Sequence, residues 1–447
     1  MQRYEPLLAS LRGSETAKAA GLAVAMIANN VIALGSTIVF ARLLDDYGSL
    51  AALISYVLIL GVAGQAMQVA TAREGVLGHL GLGQDLLATL QRWTKSMLVF
   101  TLAVTVVSIL FRHPIAQAVG VKKDSWAAAI GLPAGCAWLE LSILRGALQG
   151  VGDYKGVGIS LVAEQATRLV VGATLAGVGL GVTGAYIGTP VSFLAMCAYC
   201  AVRLRNYAAA SSEAALAPPA PGVRQVALGL WTHVKHAWAP IAGLVVLAIL
   251  QQIDIIAAKH QFTKSVASSY SATAVAAKVL IWVAIGAGFY LVPEVSRRRA
   301  AGEDTRPVLV RALGIIAVCA VPCLLIFAVA SHPLLTIAFG AKRANASDSL
   351  FVLGCAFTVL AATYLAVQYM LALKRTWFLV MIGAVAVAEP VLLLNASRKP
   401  AGFAGVVLAV QAIGALLAFA LALRRREGAP PTPAITPDGV AAPARSG

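Results

Sequence analysis

Apolar residues run along this chain in blocks of about 20, separated by short polar clusters, with no sustained two-residue alternation. Coiled as α-helices at about 1.5 Å per residue, such blocks match the hydrocarbon thickness of a bilayer. About twelve are expected, at 19–40, 49–71, 96–111, 126–148, 156–178, 182–204, 237–258, 268–292, 308–330, 350–373, 376–396 and 402–423. The first is too long for the core of a cleaved signal, about 7–15 residues, and reads as a retained span. The predicted fold is all-α and polytopic.

The blocks divide into two sets of six. Between them the text turns to "YAAASSEAALAPPAPG", rich in Ala, Ser and Pro, as expected of a flexible linker. The expected organisation is an N-terminal lobe over 1–206, a cytoplasmic linker and amphipathic approach over 207–236, a C-terminal lobe over 237–423 and a disordered cytoplasmic tail over 424–447. Six spans per half give both halves the same orientation, which suits a parallel pseudo-repeat. The paired amides Asn29-Asn30 and Gln251-Gln252 each precede a tyrosine, Tyr47 and Tyr270, at similar spacing.

Composition agrees. Of 447 residues, 59% are hydrophobic and 12% charged, against about a quarter charged in soluble domains. The formal charge of +16 does not point to nucleic acid, because no soluble basic domain carries it. It reflects basic loops. With both termini in the cytoplasm, inside loops hold about twice as many Lys and Arg as outside loops, the positive-inside bias. The outside set still includes Arg42, Lys259, Lys264, Lys342 and Arg343. The six cysteines all lie in apolar runs and read as small packing residues. No nucleotide-binding glycine loop, H-E-x-x-H or G-x-S-x-G occurs. No catalytic residue, metal or cofactor is therefore expected, and no outside segment is long enough for a folded domain.

The candidate chemistry lies in the polar residues inside the spans. A charge at mid-helix costs about 2.5–3.5 kcal/mol on insertion scales, so Glu140, Glu164, Arg168, Asp254, Lys278 and Glu389 should face each other, other helices or water. Glu164 and Arg168 are one turn apart and share a face; they are expected either to neutralise each other or to wall a cavity whose guanidinium grips phosphate. Lys278 is placed to reach Asp254 on the neighbouring helix, as a structural pair or an ion-responsive switch. Glu389, beside Pro390, is expected at a bend as a neutral acid or a protonation site. Arg145 stands one turn or so beyond Glu140 and is expected to snorkel. Asn29, Asn30, Gln65, Gln68, Gln251, Tyr364 and Gln368 add amide and hydroxyl groups that glue helices or contact a hydroxyl-rich ligand. Their spread over both halves predicts a polar cleft between two lobes.

Four stretches, "ARLLDDYGSL", "LRGALQGVGDYKGVGIS", "LQQIDIIAAKHQFTKSVASSYSATAVAAKVLIW" and "FYLVPEVSRRRAAGE", together resemble the polysaccharide transporter branch of the multidrug/oligosaccharidyl-lipid/polysaccharide flippase superfamily. The resemblance implies two six-helix lobes rocking around a central cavity in a bacterial cytoplasmic membrane. It implies a lipid-linked sugar substrate, contact with membrane lipid and with polysaccharide assembly proteins, and H⁺ or Na⁺ as a coupling ion. By position Asp254 matches the family's helix-seven acid, and Arg145 and Gln149 its helix-four end. The expected function is a flippase for a polyprenyl-diphosphate-linked oligosaccharide or related glycolipid. Alternatives are a drug/cation antiporter of the same architecture, which predicts an acidic cavity, and a membrane-embedded polymerase or ligase, which predicts a sizeable outside loop.

Overall fold

The computed structural model of the chain describes residues 15–214, 238–373 and 375–424. Most of the expected linker and nearly all of the expected tail lie outside these residues. Among the described residues there is no strand. The N-terminal lobe comprises α1 (Glu15–Leu43), α2 (Tyr47–Val76), α3 (Gly83–Leu110), the short α4 (Arg112–Val119), α5 (Ser125–Gly150), α6 (Tyr154–Leu175) and α7 (Gly181–Ala214). The C-terminal lobe comprises α8 (Trp238–Gln261), α9 (Lys264–Ala277), α10 (Val279–Ala300), α11 (Arg306–Val329), α12 (Ser331–Phe339), α13 (Leu350–Ala372), α14 (Phe378–Leu394) and α15 (Pro400–Leu423). Counting α9 and α10 as one crossing, and α4 and α12 as none, leaves the twelve-helix, two-lobe layout of a multi-pass membrane protein.

The local causes are ordinary. Asp46 and Asp153 cap α2 and α6, accepting from Ser49 N at 3.2 Å and Gly156 N at 2.9 Å. The apolar stretch Tyr154–Ala210 is far longer than the roughly 20 residues one crossing needs. It folds back at Ala176–Leu180, where Gly179 (φ 99°) and Gly181 (φ 53°) adopt backbone angles that side chains resist. Small residues set the tightest packing, α2 on α5: a Cβ on Gly150 would meet the Gly75 Cα at 2.8 Å. Gly177 and Gly181 take no part in such packing, since a Cβ on either would meet open space.

Two boundaries differ from the sequence reading. α3 begins at Gly83 rather than 96, because the stretch before 96 is amphipathic and buries Leu86, Leu90 and Trp93. α7 continues to Ala214, past the expected lobe boundary at 206, because "YAAASSEA" is alanine-rich enough to stay helical. Between the expected spans, the short helices α4 and α12 lie on the connections after α3 and α11.

The face where α1 begins is called here the near face, and the one where it ends the far face. α2 of the first lobe packs against α8 and α9 of the second, and α1 against α12. This seam is uneven. α2 is buried without interruption from Tyr47 to Leu53 and again at Ser55 and Val57, but toward the near face only Gly61, Gly64, Ala66, Met67 and Thr71 are buried. α8 follows the same gradient, continuous from Asp254 to Ala258 and patchy before Leu250. The lobes are joined at the far face and diverge toward the near face.

Candidate functional site

The far half of the seam is held by polar contacts between the lobes. Lys259 Nζ of α8 lies 2.7 Å from Asp46 Oδ1, just before α2. Burial disfavours ionisation of Asp46, but Lys259 together with the Ser49 amide outweighs it and holds the carboxyl below its ordinary value. Gly48 N donates to Ser268 Oγ at 3.0 Å, and His260 Nε2 is 3.0 Å from Ala118 O. Two arginines complete the join reciprocally. Arg42, at the end of α1, donates through Nε to Ala338 O at 3.1 Å and through Nη2 to Ile337 O, in the last turn of α12. Arg343, beyond α12, donates through Nε to Ala41 O at 3.0 Å and through Nη2 to Leu44 O at 2.5 Å, at the end of α1. Each guanidinium thus caps the electronegative C-terminus of a helix in the other lobe.

At the inner limit of this join lies a buried polar cluster. Lys278 Nζ lies 2.8 Å from Asp254 Oδ1, the pair expected from sequence, and donates to Gln252 Oε1 at 3.4 Å. Tyr270 Oη donates to Asp254 Oδ2 at 3.4 Å, and the ammonium sits 5.1 Å from the centre of the Phe357 ring. Gln252 Oε1 also accepts from Ser55 Oγ of α2 at 3.2 Å. A chain of hydrogen bonds therefore leads from the second lobe's ion pair into the first lobe. Lys278 is also where α9 meets α10 within crossing eight. α9 stops at Ala277, α10 starts at Val279, and the junction tightens to an i→i+3 bond from Ile281 N to Lys278 O of 3.0 Å. Above this junction α9 packs on α2 and α13; below it α10 packs on α11 and α13. Nearby Glu389 is fully buried, with Oε1 accepting from Gln411 Nε2 at 3.1 Å and Oε2 without a partner. α14 runs through Pro390 as one helix.

The first lobe corrects the sequence reading. Glu164 does not pair with Arg168. Its partner is Arg145 of α5, at 2.9 Å, and Arg145 also donates to Ser160 Oγ and Ser160 O, both at 2.8 Å. Arg145 is therefore buried, and does not snorkel, because α6 offers it a carboxylate, a hydroxyl and a carbonyl within the lobe. Arg168 is left half-buried, with no carboxylate within 4.0 Å among the described residues and a buried Nε without a partner. Glu140 meets neither arginine; it accepts from Thr94 Oγ1 of α3 at 2.5 Å. The charges expected around one shared hollow are thus neutralised lobe by lobe, with Arg168 left over.

The amides are dispersed. Asn29 donates to Asn30 at 3.3 Å on α1, and Gln368 to Tyr364 Oη at 2.9 Å on α13, beside Gly288 of α10. Gln65 is exposed, Gln68 and Gln251 half-buried. On the diverging part of α2, Gln65, Val69 and Arg73 form an exposed stripe at one-turn spacing; on α10, Gly286 and Tyr290 do the same. The sequence reading missed Gln252, Ser55 and the whole far-face join. One signal pointed to the join: the basic residues expected in outside loops, which weaken the positive-inside bias, include Arg42, Lys259 and Arg343, all of which are used in it.

No family profile and no curated protein sequence matches this chain. Solved structures do. An inward-facing multidrug-resistance MATE-family transporter of the MOP superfamily superposes with a TM-score of 0.64 at 12% identity, covering 88% of this chain and 93% of that one. The lipid II flippase MurJ in an inward closed conformation gives 0.66 at 14% identity, covering 90% and 87%. An outward-facing MATE-family transporter gives 0.55 at 13% identity, covering 92% and 95%. The chain has the fold of MOP-superfamily transporters.

Proposed function

We propose that this protein is a flippase working by alternating access, in a conformation open at the near face, which the charge bias assigns to the cytoplasm of a cytoplasmic (inner) membrane. Its substrate is a polyprenyl-diphosphate-linked oligosaccharide or related glycolipid used for cell-surface polysaccharide. One observation carries the choice of an anionic substrate. Each carboxylate in the spans, at Glu140, Glu164, Asp254 and Glu389, already has a partner within its own lobe, whereas Arg168 makes no ion pair within 4.0 Å among the described residues and keeps a buried Nε without a hydrogen-bond partner. A planar guanidinium with a free donor suits phosphate oxygens. Gln65 and Arg73 on α2 and Tyr290 on α10 supply amide, cationic and aromatic groups along the gap for sugar and diphosphate, while the isoprenoid stays in lipid. The higher similarity to the inward-facing MATE-family transporter than to the outward-facing one, 0.64 against 0.55, supports the conformational reading.

A drug/cation antiporter is the rival. It is favoured by the neighbours described as multidrug transporters and by two carboxylates, Asp254 and Glu389, near one lysine. In that reading H⁺ or Na⁺ acts at this cluster. Proteoliposomes decide between the two. Leaflet translocation of a fluorescent polyprenyl-diphosphate oligosaccharide is expected above empty vesicles, and to fall at least tenfold, about 1.4 kcal/mol of transition-state binding, in Arg168→Ala, with partial recovery in Arg168→Lys. Wild-type vesicles that move a cationic dye but not the glycolipid would overturn the proposal.

A further inference from the structure

On the far face, beside the reciprocal arginines, a cavity of about 430 Å³ is lined by Asp45, Lys264, Ser265, Lys342, Arg343 and Asn345. Asp45 comes from the first lobe and the rest from the second. Three cationic side chains meet one carboxylate there, with a hydroxyl and an amide as further donors. Arg343 is only 6% exposed, and its hydrogen bonds use Nε and Nη2, leaving Nη1 without a partner among the described residues. The cavity also lies at the start of α9, a 14-residue helix whose N-cap Thr263 makes no side-chain capping bond. The first intrahelical bond runs from Ala267 N to Thr263 O at 2.8 Å, so the amides of Lys264, Ser265 and Val266 have no helical acceptor. A buried guanidinium with a spare donor, two lysines and an uncapped helix N-terminus all favour the same ligand, a multiply charged oxyanion.

We propose that this cavity is a binding site for a phosphate or diphosphate group at the far face. Its ligand lies against the residue that ties the second lobe to the end of α1, so the site also stabilises the far-face closure. The proposal does not depend on what the central gap carries. The group comes either from a phosphate-bearing lipid headgroup of the far leaflet or from a soluble or substrate-borne phosphate.

The test uses the full chain in nanodiscs, with inorganic diphosphate as the probe and calorimetric titration as the readout. In phosphatidylcholine discs, saturable binding is expected for the wild type. It should weaken at least tenfold in Lys264→Ala/Lys342→Ala, two exposed positions whose loss should leave the melting temperature unchanged. Adding about a fifth phosphatidylglycerol distinguishes the sources. Competition by the lipid assigns the site to a headgroup, and unchanged binding assigns it to a soluble or substrate phosphate. Absence of saturable binding in phosphatidylcholine discs, or equal affinity in the double variant, overturns the proposal.

Discussion

The two lobes each bury one ion pair, and the pairs differ in what surrounds them. Arg145 and Glu164 are closed into the first lobe: every bond they make goes to α5 or α6. Lys278 and Asp254 are equally buried but open onto the seam, because Gln252 relays the ammonium to Ser55 of the other lobe. They also stand at the junction of α9 and α10 in crossing eight, between the part that packs on α2 and the part that packs on α11 and α13. Burial and charge alone do not separate a structural pair from one that senses lobe position. The hydrogen bonds leaving the pair do.

The strongest way to sharpen this contrast is to remove one partner and then both. Asp254→Ala leaves an uncompensated buried ammonium and should cost about 3–5 kcal/mol, read as a lower melting temperature and lost translocation. Asp254→Ala/Lys278→Met should recover most of the melting temperature but not the translocation. Recovery of both would reduce the C-terminal pair to a structural one. Arg145→Met should cost a similar amount, about 3–5 kcal/mol, yet Arg145→Met/Glu164→Leu should restore stability and translocation together. A stable but inactive double variant there would erase the distinction between the lobes.

A smaller effect is expected at the reciprocal arginines, which hold the seam rather than either lobe. Hydrogen bonds from charged donors contribute about 1.5–3 kcal/mol each. Arg42→Ala/Arg343→Ala should therefore shift the population toward far-face opening without unfolding either lobe. Spin labels at Lys123→Cys and Ala341→Cys should report a longer, broader distance; an unchanged distribution would show that the apolar seam suffices. The smallest effect concerns pH. The carboxyl of Asp46 is held low by Lys259, so its contribution is present above the unfolded value of about 3.9 and fades as pH falls through the lower folded value. The same label pair should be insensitive to pH between about 5 and 8 and lengthen only below it. Opening near neutrality would point to another group.

The number of crossings, the two lobes and the charged positions were legible in the sequence, because hydrophobic blocks and intramembrane charge are local properties. Partner choice was not. Glu164 and Arg168 share a helix face, yet Arg145 approaches from another helix and takes the carboxylate, since cross-helix distance is absent from spacing along one helix. Gln251 and Gln252 are adjacent, and only the packing of α8 on α2 decides that the second is buried and joins the relay. The arginine join was hidden for a different reason: its acceptors are main-chain carbonyls, which leave no trace in residue type. The divergence of the lobes was equally hidden, because α2 is apolar along both its covered and its open halves.

That choice of acceptor restricts how the far-face closure can be weakened genetically. Carbonyl oxygens at the ends of α1 and α12 belong to every residue that could be placed there, so no single replacement deletes the receiving half of either bond. Selection for a looser closure should return repeatedly to the codons for the two arginines, or to changes that unwind a whole helix end, while their acceptor positions drift freely in side chain.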